Sequence, residues 1–274
     1  MEEMHIAFCT DRNYAAYTGV AMTSIILHHR RKRLVFHLFH NGIEARDEEK
    51  FAALRQEYPN VEIYFYDLSD TGKIDSYKIN HYYTKAVYFR WYMAEILDPA
   101  ISRVLYLDGD ILCLGDLQEL YALDISAGGE YALAAVGKYQ TEKEIQRLKM
   151  TPPKVLNTGD LLIDLPEWRR QRISEQLFAY ADQNHENLVW LDNDVMNSVL
   201  DGHFLLADEK WNHRIYLKKM PHIEILPEDR ILHYSGEYKP WNTNEWNENE
   251  AAWWDCARKS PWNDLKKPGG GTNG

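Results

Sequence analysis

The stretch Val104–Asp110, with the sequence VLYLDGD, decides the fold class of this 274-residue chain. Its apolar first part predicts a buried strand over Arg103–Leu107. Two aspartates that flank Gly109 follow this strand at once. Because ligands of parallel sheets lie at the carboxyl ends of the strands, both carboxylates are predicted to face a ligand crevice.

Short apolar strands alternate with helical segments on both sides of this stretch. On the N-terminal side the predicted strands are His5–Cys9, Leu34–Phe39 and Val61–Tyr66, and the predicted helices are Tyr14–His28, capped by Asp11 or Asn13, Ala45–Tyr58 and Thr84–Leu97. On the C-terminal side the predicted strands are Tyr131–Val136, Val155–Leu165 and Ile231–Tyr234, and the predicted helices are Glu167–Asp182, Asp192–Leu200 and Thr243–Lys259. This alternation predicts an α/β fold with a largely parallel sheet covered by helices.

Composition and charge limit the functions open to the chain. Asp and Glu number 42 against 31 Lys and Arg, a formal charge of −11, which argues against nucleic-acid binding because that needs a broad basic surface. The three cysteines form no CxxC pair and predict neither a disulfide framework nor a thiolate zinc site. Since the sequence has no signal-peptide pattern and no long apolar run, we expect a soluble, cytoplasmic protein.

Asp108, Asp110 and His233 are the candidate metal ligands. Two carboxylates held close together repel each other, and a cation between them removes the repulsion. His233 ends another strand-like run, and two carboxylates with one imidazole suit Mn²⁺ or Mg²⁺ better than a metal that prefers thiolates. Spacing alone leaves two other interpretations open, a solvated Asp-Gly turn and a histidine packed in the core.

Five short motifs occur along the chain in a fixed order. They are Phe8–Tyr17 (FCTDRNYAAY), Lys85–Arg90 (KAVYFR), Val104–Asp110, Asn157–Leu165 (NTGDLLIDL) with Trp168 and Arg169, and His233–Gly236 (HYSG) with Lys239, Pro240 and Trp241. Together they resemble glycosyltransferase family 8, especially the bacterial galactosyl- and glucosyltransferases that build lipopolysaccharide or lipooligosaccharide. The resemblance covers most of the chain. P-loop, GxGxxG, GxSxG and HExxH motifs are missing from the sequence, which disfavours several other enzyme classes.

The resemblance implies a glycosyltransferase A fold, which is Rossmann-like, with a mixed and mostly parallel central sheet. It implies a catalytic domain over residues 1–262, with a nucleotide-binding half (1–115) and a half for donor sugar and acceptor (116–262), followed by a flexible tail (263–274). The implied reaction moves a hexose, galactose or glucose, from a UDP-sugar to a saccharide or glycolipid acceptor with retention of configuration. Mn²⁺ is the implied cofactor, with Mg²⁺ as the alternative.

The resemblance also implies which residues hold the metal and the nucleotide. Asp108, Asp110 and His233 would hold the metal, and Lys239 and the backbone at Gly236 would contact the phosphates. The uridine site would consist of Cys9, through its backbone, Asp11, Asn13 and Tyr14, with Tyr14 stacked on uracil.

A second group of residues is assigned by the resemblance to the donor sugar. It consists of Arg90, Asp108, Asn157, Thr158, Gly159, Asp192 and Asn193, and Arg90 is also a candidate partner for Asp108. The catalytic candidates are Asp192, which would bond donor hydroxyls, and Asn193, an amide near the anomeric carbon. Asn193 is open to two roles, as a nucleophile or as a group that steadies an oxocarbenium-like state.

Departures from the family pattern fall among residues expected to contact the donor sugar or the acceptor, and not among the expected metal ligands. Val87 replaces a hydroxyl residue, Gly137 replaces an acidic one, and Asp160 places a carboxylate inside a strand-like run. The donor sugar and the acceptor therefore stay open. Two other functions are open alternatives, a nucleotide-sugar-binding protein without turnover and a glycogenin-like enzyme that glucosylates itself, the latter because of the 18 tyrosines.

The C-terminal region has a short basic and aromatic pattern. Its members are Trp253, Trp254, Arg258, Lys259, Trp262, Lys266 and Lys267. This pattern predicts at most a weak peripheral contact with the inner face of the cell membrane, because a single signal of this kind binds weakly. The sequence carries no information on the oligomeric state.

Overall fold

The computed structural model describes residues 3–80, 83–137, 142–150, 154–218, 224–243 and 248–268. The strands are β1 (Glu3–Thr10), β2 (Arg33–His40), β3 (Val61–Asp67), β4 (Arg103–Leu107), β5 (Ile111–Cys113), β6 (Leu133–Gly137), β7 (Leu156–Asp164), β8 (Leu205–Ala207), β9 (His213–Ile215) and β10 (Ile231–Tyr234). The α-helices are α1 (Ala15–His28), α2 (Ala45–Glu57), α3 (Met93–Ile96), α4 (Gln118–Tyr121), α5 (Glu142–Leu148), α6 (Leu165–Arg170), α7 (Ile173–Asn184), α8 (Asp192–Leu200) and α9 (Glu248–Arg258).

A seven-stranded sheet forms the centre of the fold, in the order β3-β2-β1-β4-β7-β6-β8. β4 pairs with β1 in parallel and with β7 antiparallel, and β6 pairs antiparallel with β7 and parallel with β8. Among these described strands only β7 therefore runs against the others. The predicted α/β class with a mostly parallel sheet is confirmed.

Alternating side chains of β4 build the core on both faces of this sheet. Leu105 and Leu107 belong to the cluster that packs on α1 and α9, whereas Val104 and Tyr106 belong to the cluster on the opposite face. All four are buried, as expected for a central strand covered on both sides. β4 therefore delivers the residues that follow it to one fixed point at the edge of the sheet.

A second, three-stranded sheet carries the other half of the candidate metal site. Its order is β5-β10-β9, with β10 antiparallel to β5 and parallel to β9. β5 begins one residue after Asp110, and the register places His233 opposite Ile111. The pairing brings His233 back to the end of β4, across more than a hundred residues of sequence.

Two predicted helices have different local structures. Thr84–Leu97 is a 3₁₀ helix over Lys85–Tyr92 followed by the short α3. Four consecutive residues of it, from Tyr88 to Trp91, are buried. A helix that is buried on all sides has no single apolar face. The spacing of apolar residues therefore did not distinguish the 3₁₀ helix from an α-helix.

The second difference is a break in the predicted helix Glu167–Asp182. α6 ends at Arg170, and Arg172 adopts a left-handed conformation with φ 55° before α7 begins. The break lets the indole of Trp168 donate a hydrogen bond to the hydroxyl of Ser174, at 3.0 Å. A left-handed residue that is neither glycine nor asparagine gives no local signal in a sequence.

The start of α1 depends on Asp11, which is one of the two residues predicted to cap this helix. Asp11 Oδ1 accepts hydrogen bonds from the backbone N–H groups of Asn13 (2.8 Å) and Tyr14 (3.0 Å). The helix itself begins at Ala15, so Asp11 holds the turn that leads into it. The predicted helix Thr243–Lys259 is described from Glu248 to Arg258 as α9. Its predicted first residue, Thr243, is described but is not helical, and 244–247 lie outside the described residues.

The C-terminal tryptophans belong to the core. Trp253, Trp254 and Trp262 are buried, and Trp262 Nε1 donates to Asp47 on α2 at 2.7 Å. Their side chains are therefore not available to insert into a lipid surface. Only the basic residues of the C-terminal pattern remain for the predicted membrane contact, which stays a prediction. Within the described ranges, no helix combines the length and the apolarity needed to cross a bilayer.

Trp262→Ala is expected to destabilise the fold by about 3–5 kcal/mol, the usual cost of removing a buried aromatic side chain. The indole lies against Gly19 so closely that a side chain at Gly19 would overlap it, and its removal leaves a cavity beside α1. Urea unfolding measures the change, with the exposed Leu206→Ala as control. Equal stability of the two variants would contradict this packing.

Candidate active site

Asp108 and Asp110 leave the end of β4 in a turn that requires Gly109. A Cβ atom on Gly109 would lie 2.5 Å from Thr18 Oγ1 on α1, too close for any side chain. The backbone N–H of Asp108 donates to Gly159 O (2.9 Å), and Asp110 O accepts from the N–H of Tyr234 (3.0 Å). The turn is therefore fixed between α1, β7 and β10 and is not a free solvent loop.

The three predicted metal ligands come together at this turn. Asp108, Asp110 and His233 each offer one ligand atom, and these atoms lie within 4.8 Å of one another. His233 Nε2 is 3.3 Å from Asp110 Oδ1 and 3.8 Å from Asp108 Oδ2. Asp110 and His233 are buried, so two carboxylates share a poorly solvated space. Oxygen and imidazole ligands at this separation fit Mn²⁺ or Mg²⁺.

Lys239 supplies a positive charge next to this cluster. Its ammonium group donates to Asp110 Oδ2 and to the carbonyl of Tyr234. Burial by itself would raise the pKa of Asp110, but Lys239 and His233 lower it well below its usual range. Asp110 is therefore held as a carboxylate. Gly236, between His233 and Lys239, has φ +86°, a conformation that favours glycine.

Arg90 connects the metal cluster with the start of α8. Its guanidinium is buried and forms ion pairs with Asp108 (3.1 Å) and Asp192 (3.4 Å). It also donates to the carbonyl of Thr158 and lies 4.2 Å from the ring centre of Tyr106. The predicted Arg90–Asp108 pair is present in the structure, and the second pair, with Asp192, extends it.

Asp192 has the features of a ligand-binding carboxylate. It is buried, and burial, opposed by Arg90, raises its pKa to about 6. Its Oδ2 atom forms no hydrogen bond to any described residue. The preceding Leu191 has φ 47° and ψ −118°, a rare backbone conformation of the kind found at functional sites. Oδ2 is also the atom that pairs with Arg90 at 3.4 Å, so its charge is compensated although it accepts no hydrogen bond from a described residue.

Asn193 lies one residue further along α8, with its amide turned towards β7. Its Nδ2 is 3.4 Å from both Leu156 O and Thr158 Oγ1, and its Oδ1 accepts from Asn197 Nδ2 at 3.3 Å. The side chain is buried. The structure thus places Asn193 beside Thr158 and Asp192, and its chemical role stays a prediction.

The predicted donor-sugar residues of β7 surround the His233 ring. A Cβ atom on Gly159 would lie 2.3 Å from His233 Cε1, so this glycine is what admits the imidazole. Asn157 Oδ1 accepts from the N–H of Gly159 at 2.8 Å, and Thr158 O accepts from Arg90. β7 therefore contacts the cluster of Asp108, Asp110 and His233, and its place in a sugar pocket stays a prediction.

The predicted uridine residues lie on the other side of the turn. Tyr14 is half-buried and packs edge-to-face with Tyr17 and Trp241, whose rings are stacked on each other 4.0 Å apart. Burial and the nearby Asp110 and Asp108 carboxylates raise the pKa of Tyr14. These contacts bring Tyr14 close to the metal cluster.

Asp11 and Cys9 are the other side chains of this group with defined surroundings. Asp11 Oδ1 accepts the two N–H groups described above, and the role of Asp11 towards a base stays a prediction. Cys9 is buried, and burial raises the pKa of its thiol. The thiol is therefore not a reactive thiolate, in agreement with a role through the backbone alone.

Sequence reasoning missed two residues of this site. Asn212, from the loop before β9, accepts a hydrogen bond from His233 Nδ1 at 3.0 Å. Tyr106 donates its hydroxyl to Asp108 Oδ1 at 2.5 Å. Neither residue carries a local signal, although Asp160, which contacts Asn212, stands out as a carboxylate inside an apolar strand. Burial raises the pKa of Asp160 above its usual range.

Comparisons with known proteins find similar chains over most of the sequence. The family model described as "Glycosyl transferase family 8" matches residues 5–245. Lipopolysaccharide 1,3-galactosyltransferase of Salmonella typhimurium is 30% identical over 88% of this chain and 74% of its own. Lipopolysaccharide glucosyltransferase WaaO of Escherichia coli is 29% identical over 97% of this chain and 81% of its own.

A solved structure also matches. The crystal structure of galactosyltransferase LgtC in complex with donor and acceptor sugar analogues superposes with a TM-score of 0.80 and 26% identity. The match covers 94% of this chain and 96% of that chain. The central sheet, the turn after β4 and β10 therefore belong to a known architecture.

Replacing Arg90 with methionine is expected to destabilise the fold by about 3–5 kcal/mol, the usual cost of leaving buried charges uncompensated. The double variant Arg90→Met/Asp192→Asn should lose less than the sum of the single variants, since one stranded charge is gone. Urea unfolding gives both values. Arg172→Met removes an exposed ion pair with Glu175 and is the control. A cost for Arg90→Met no larger than this control would refute the role of the pair.

Proposed function

Since this chain belongs to glycosyl transferase family 8, we propose that it moves a hexose, galactose or glucose, from a UDP-sugar to a saccharide or glycolipid acceptor, with retention at the anomeric carbon. Membership of the family makes the chain a glycosyltransferase. We further propose that it acts in the synthesis of lipopolysaccharide or another cell-surface glycan, which is the activity named for the two bacterial relatives. The proposed catalytic domain is 1–262, in the two halves given above.

The convergence of Asp108, Asp110 and His233 is the observation that carries this proposal. These residues come from two separate sheets, and their ligand atoms lie within 4.8 Å. A divalent cation bound there would neutralise the diphosphate and stabilise the charge that develops on the leaving UDP. Mn²⁺ is our proposed ion because it accepts both carboxylate and imidazole ligands.

The positive side chains would orient the phosphates. Lys239 already lies at the metal cluster, and an ammonium group there would pair with a phosphate oxygen. Arg90 is buried, and its two ion pairs fix the distance between Asp108 and Asp192. We infer that this pair of contacts sets the position of the sugar relative to the diphosphate.

Asp192 and Asn193 would act on the donor sugar. Asp192 Oδ2, which pairs with Arg90 but forms no hydrogen bond within the described residues, would accept a hydrogen bond from a sugar hydroxyl. The Asn193 amide is held by Thr158 and Asn197. A fixed amide favours the role of steadying an oxocarbenium-like state over nucleophilic attack.

Release of UDP from UDP-galactose or UDP-glucose is expected to require Mn²⁺ and to stop when a chelator removes it. Loss of the cation leaves two close carboxylates facing a diphosphate, which they repel. A coupled assay for UDP measures the rate. Asp108→Asn should lower it by at least about a hundredfold, the scale on which catalytic electrostatic groups act, whereas Asp98→Asn, an exposed carboxyl, should leave it unchanged.

Other results of this assay would point to another function. Tight UDP binding without metal-dependent release from either sugar would favour a binding protein without turnover. A gain of whole hexose units in the intact mass of the chain would favour a self-glucosylating enzyme.

The value of kcat/KM is expected to fall as the pH drops through about 6, the pKa of Asp192. Above this pH the carboxylate is ionised and accepts sugar hydroxyls with both oxygens, and below it one oxygen carries a proton. Profiles of kcat/KM report ionisations of the free enzyme. Asp192→Asn should lower the rate and lose this limb, because an amide does not titrate. Asp70→Asn, at an exposed carboxyl, should keep it, and a limb retained by Asp192→Asn would disprove the assignment.

A further inference from the structure

Asn212 contacts the His233 ring on the side opposite the two aspartates. His233 Nδ1 lies 3.0 Å from Asn212 Oδ1, while Nε2 faces Asp110 Oδ1 at 3.3 Å. An amide oxygen only accepts hydrogen bonds, so Nδ1 must carry a proton and donate it. With Nδ1 protonated, the lone pair of Nε2 is available to a cation held between the two aspartates. This is the tautomer that binds a cation through Nε2.

Two acceptors determine which way the Asn212 amide faces. Asn212 Nδ2 donates to Asp160 Oδ1 and to Asn157 Oδ1, the latter at 3.1 Å. Asn157 Oδ1 also accepts from the backbone N–H of Gly159, which identifies it as an oxygen. With acceptors on one side, the amide nitrogen must face Asp160 and Asn157. Its oxygen is left for His233.

The position of Asp160 is costly for a carboxyl group. It is 2% exposed, on β7, and opposite Leu107 of β4. A polar group buried in a sheet costs free energy unless its hydrogen bonds are made. An apolar side chain would suit this strand, and the neighbouring Leu161, Leu162 and Ile163 are all apolar and buried. The main side-chain partner of Asp160 is the Asn212 amide.

We propose that Asp160 and Asn212 are positioning residues for the metal centre: Asp160 orients the Asn212 amide, and Asn212 fixes the ring and the tautomer of His233. The inference rests on the proposed function, because it takes His233 as a ligand of the cation. It adds a carboxylate–amide–histidine chain that none of the sequence motifs assigned. Such outer partners of a metal-bound histidine set its orientation and its basicity.

Direct measurement of Mn²⁺ affinity tests the proposal without relying on turnover. The free ion is followed by electron paramagnetic resonance during titration of the full chain. Asn212→Ala is expected to weaken the affinity about 10–100-fold, as is usual for the partner of a ligating histidine, and Asp160→Leu should weaken it in the same direction. Asp47→Asn alters another buried carboxyl, bound to Trp262, and should bind Mn²⁺ like the wild type.

The tautomer itself gives a second measurement, which a merely structural role would not change. Long-range proton–nitrogen spectra of the metal-free chain, recorded at a pH high enough for the ring to be neutral, should show His233 with its proton on Nδ1, assigned by comparison with His233→Gln. In Asn212→Ala the form with the proton on Nε2 should appear. Asp160→Asn keeps the size of the side chain and should give a mixture of the two His233 tautomers. This variant replaces Asn212→Ala in the test if Asn212→Ala does not fold.

The outcomes separate this inference from the proposed function. Wild-type Mn²⁺ affinity and an unchanged tautomer in folded Asn212→Ala or Asp160→Asn would overturn the positioning chain. A wild-type chain that binds no Mn²⁺ would instead count against the metal-dependent function. The tautomer spectra would still decide whether Asp160 and Asn212 control His233.

Discussion

The buried guanidinium of Arg90 is the interaction on which the arrangement of the site depends. It neutralises Asp108 at the metal cluster and Asp192 at the start of α8, two carboxylates that would otherwise repel each other in a poorly solvated space. A planar fork with several donors suits this task better than a lysine would. The eight-residue 3₁₀ helix, unusual in its length, is what brings Arg90 to this point.

The same pairing of charges explains how an acidic chain could bind the anionic donor that we propose for it. The net charge is −11, yet each acidic group at the site has a cationic or polar partner: Arg90 for two of them, Lys239 and His233 for Asp110. The negative charge of the chain as a whole therefore says little about its ligand. Local pairing decides what the crevice accepts.

The sequence was sufficient for the sheet and the turn after β4, because apolar runs and the Asp-Gly-Asp turn are local signals. The approach of His233 to this turn was expected from the family resemblance alone, since no local signal marks it. The sequence was not sufficient for the 3₁₀ helix or for the left-handed Arg172, since packing from distant residues determines both. Asn212 was missed for the same reason: its importance comes from its contact with His233, 21 residues away. Asp160 stood out in the sequence as a carboxylate within an apolar strand, and the structure identifies its partner as the Asn212 amide.

The packing of Trp262 has a consequence for how the chain matures. Its indole fills the space beside Gly19 and bonds to Asp47, while the central strand β4 pairs with β7 on one side. Residues near the end of the chain therefore complete elements made near its beginning. During synthesis on the ribosome, α1 and α2 can complete their packing only after almost the whole polypeptide has been made. The first and last parts of the chain therefore share one core.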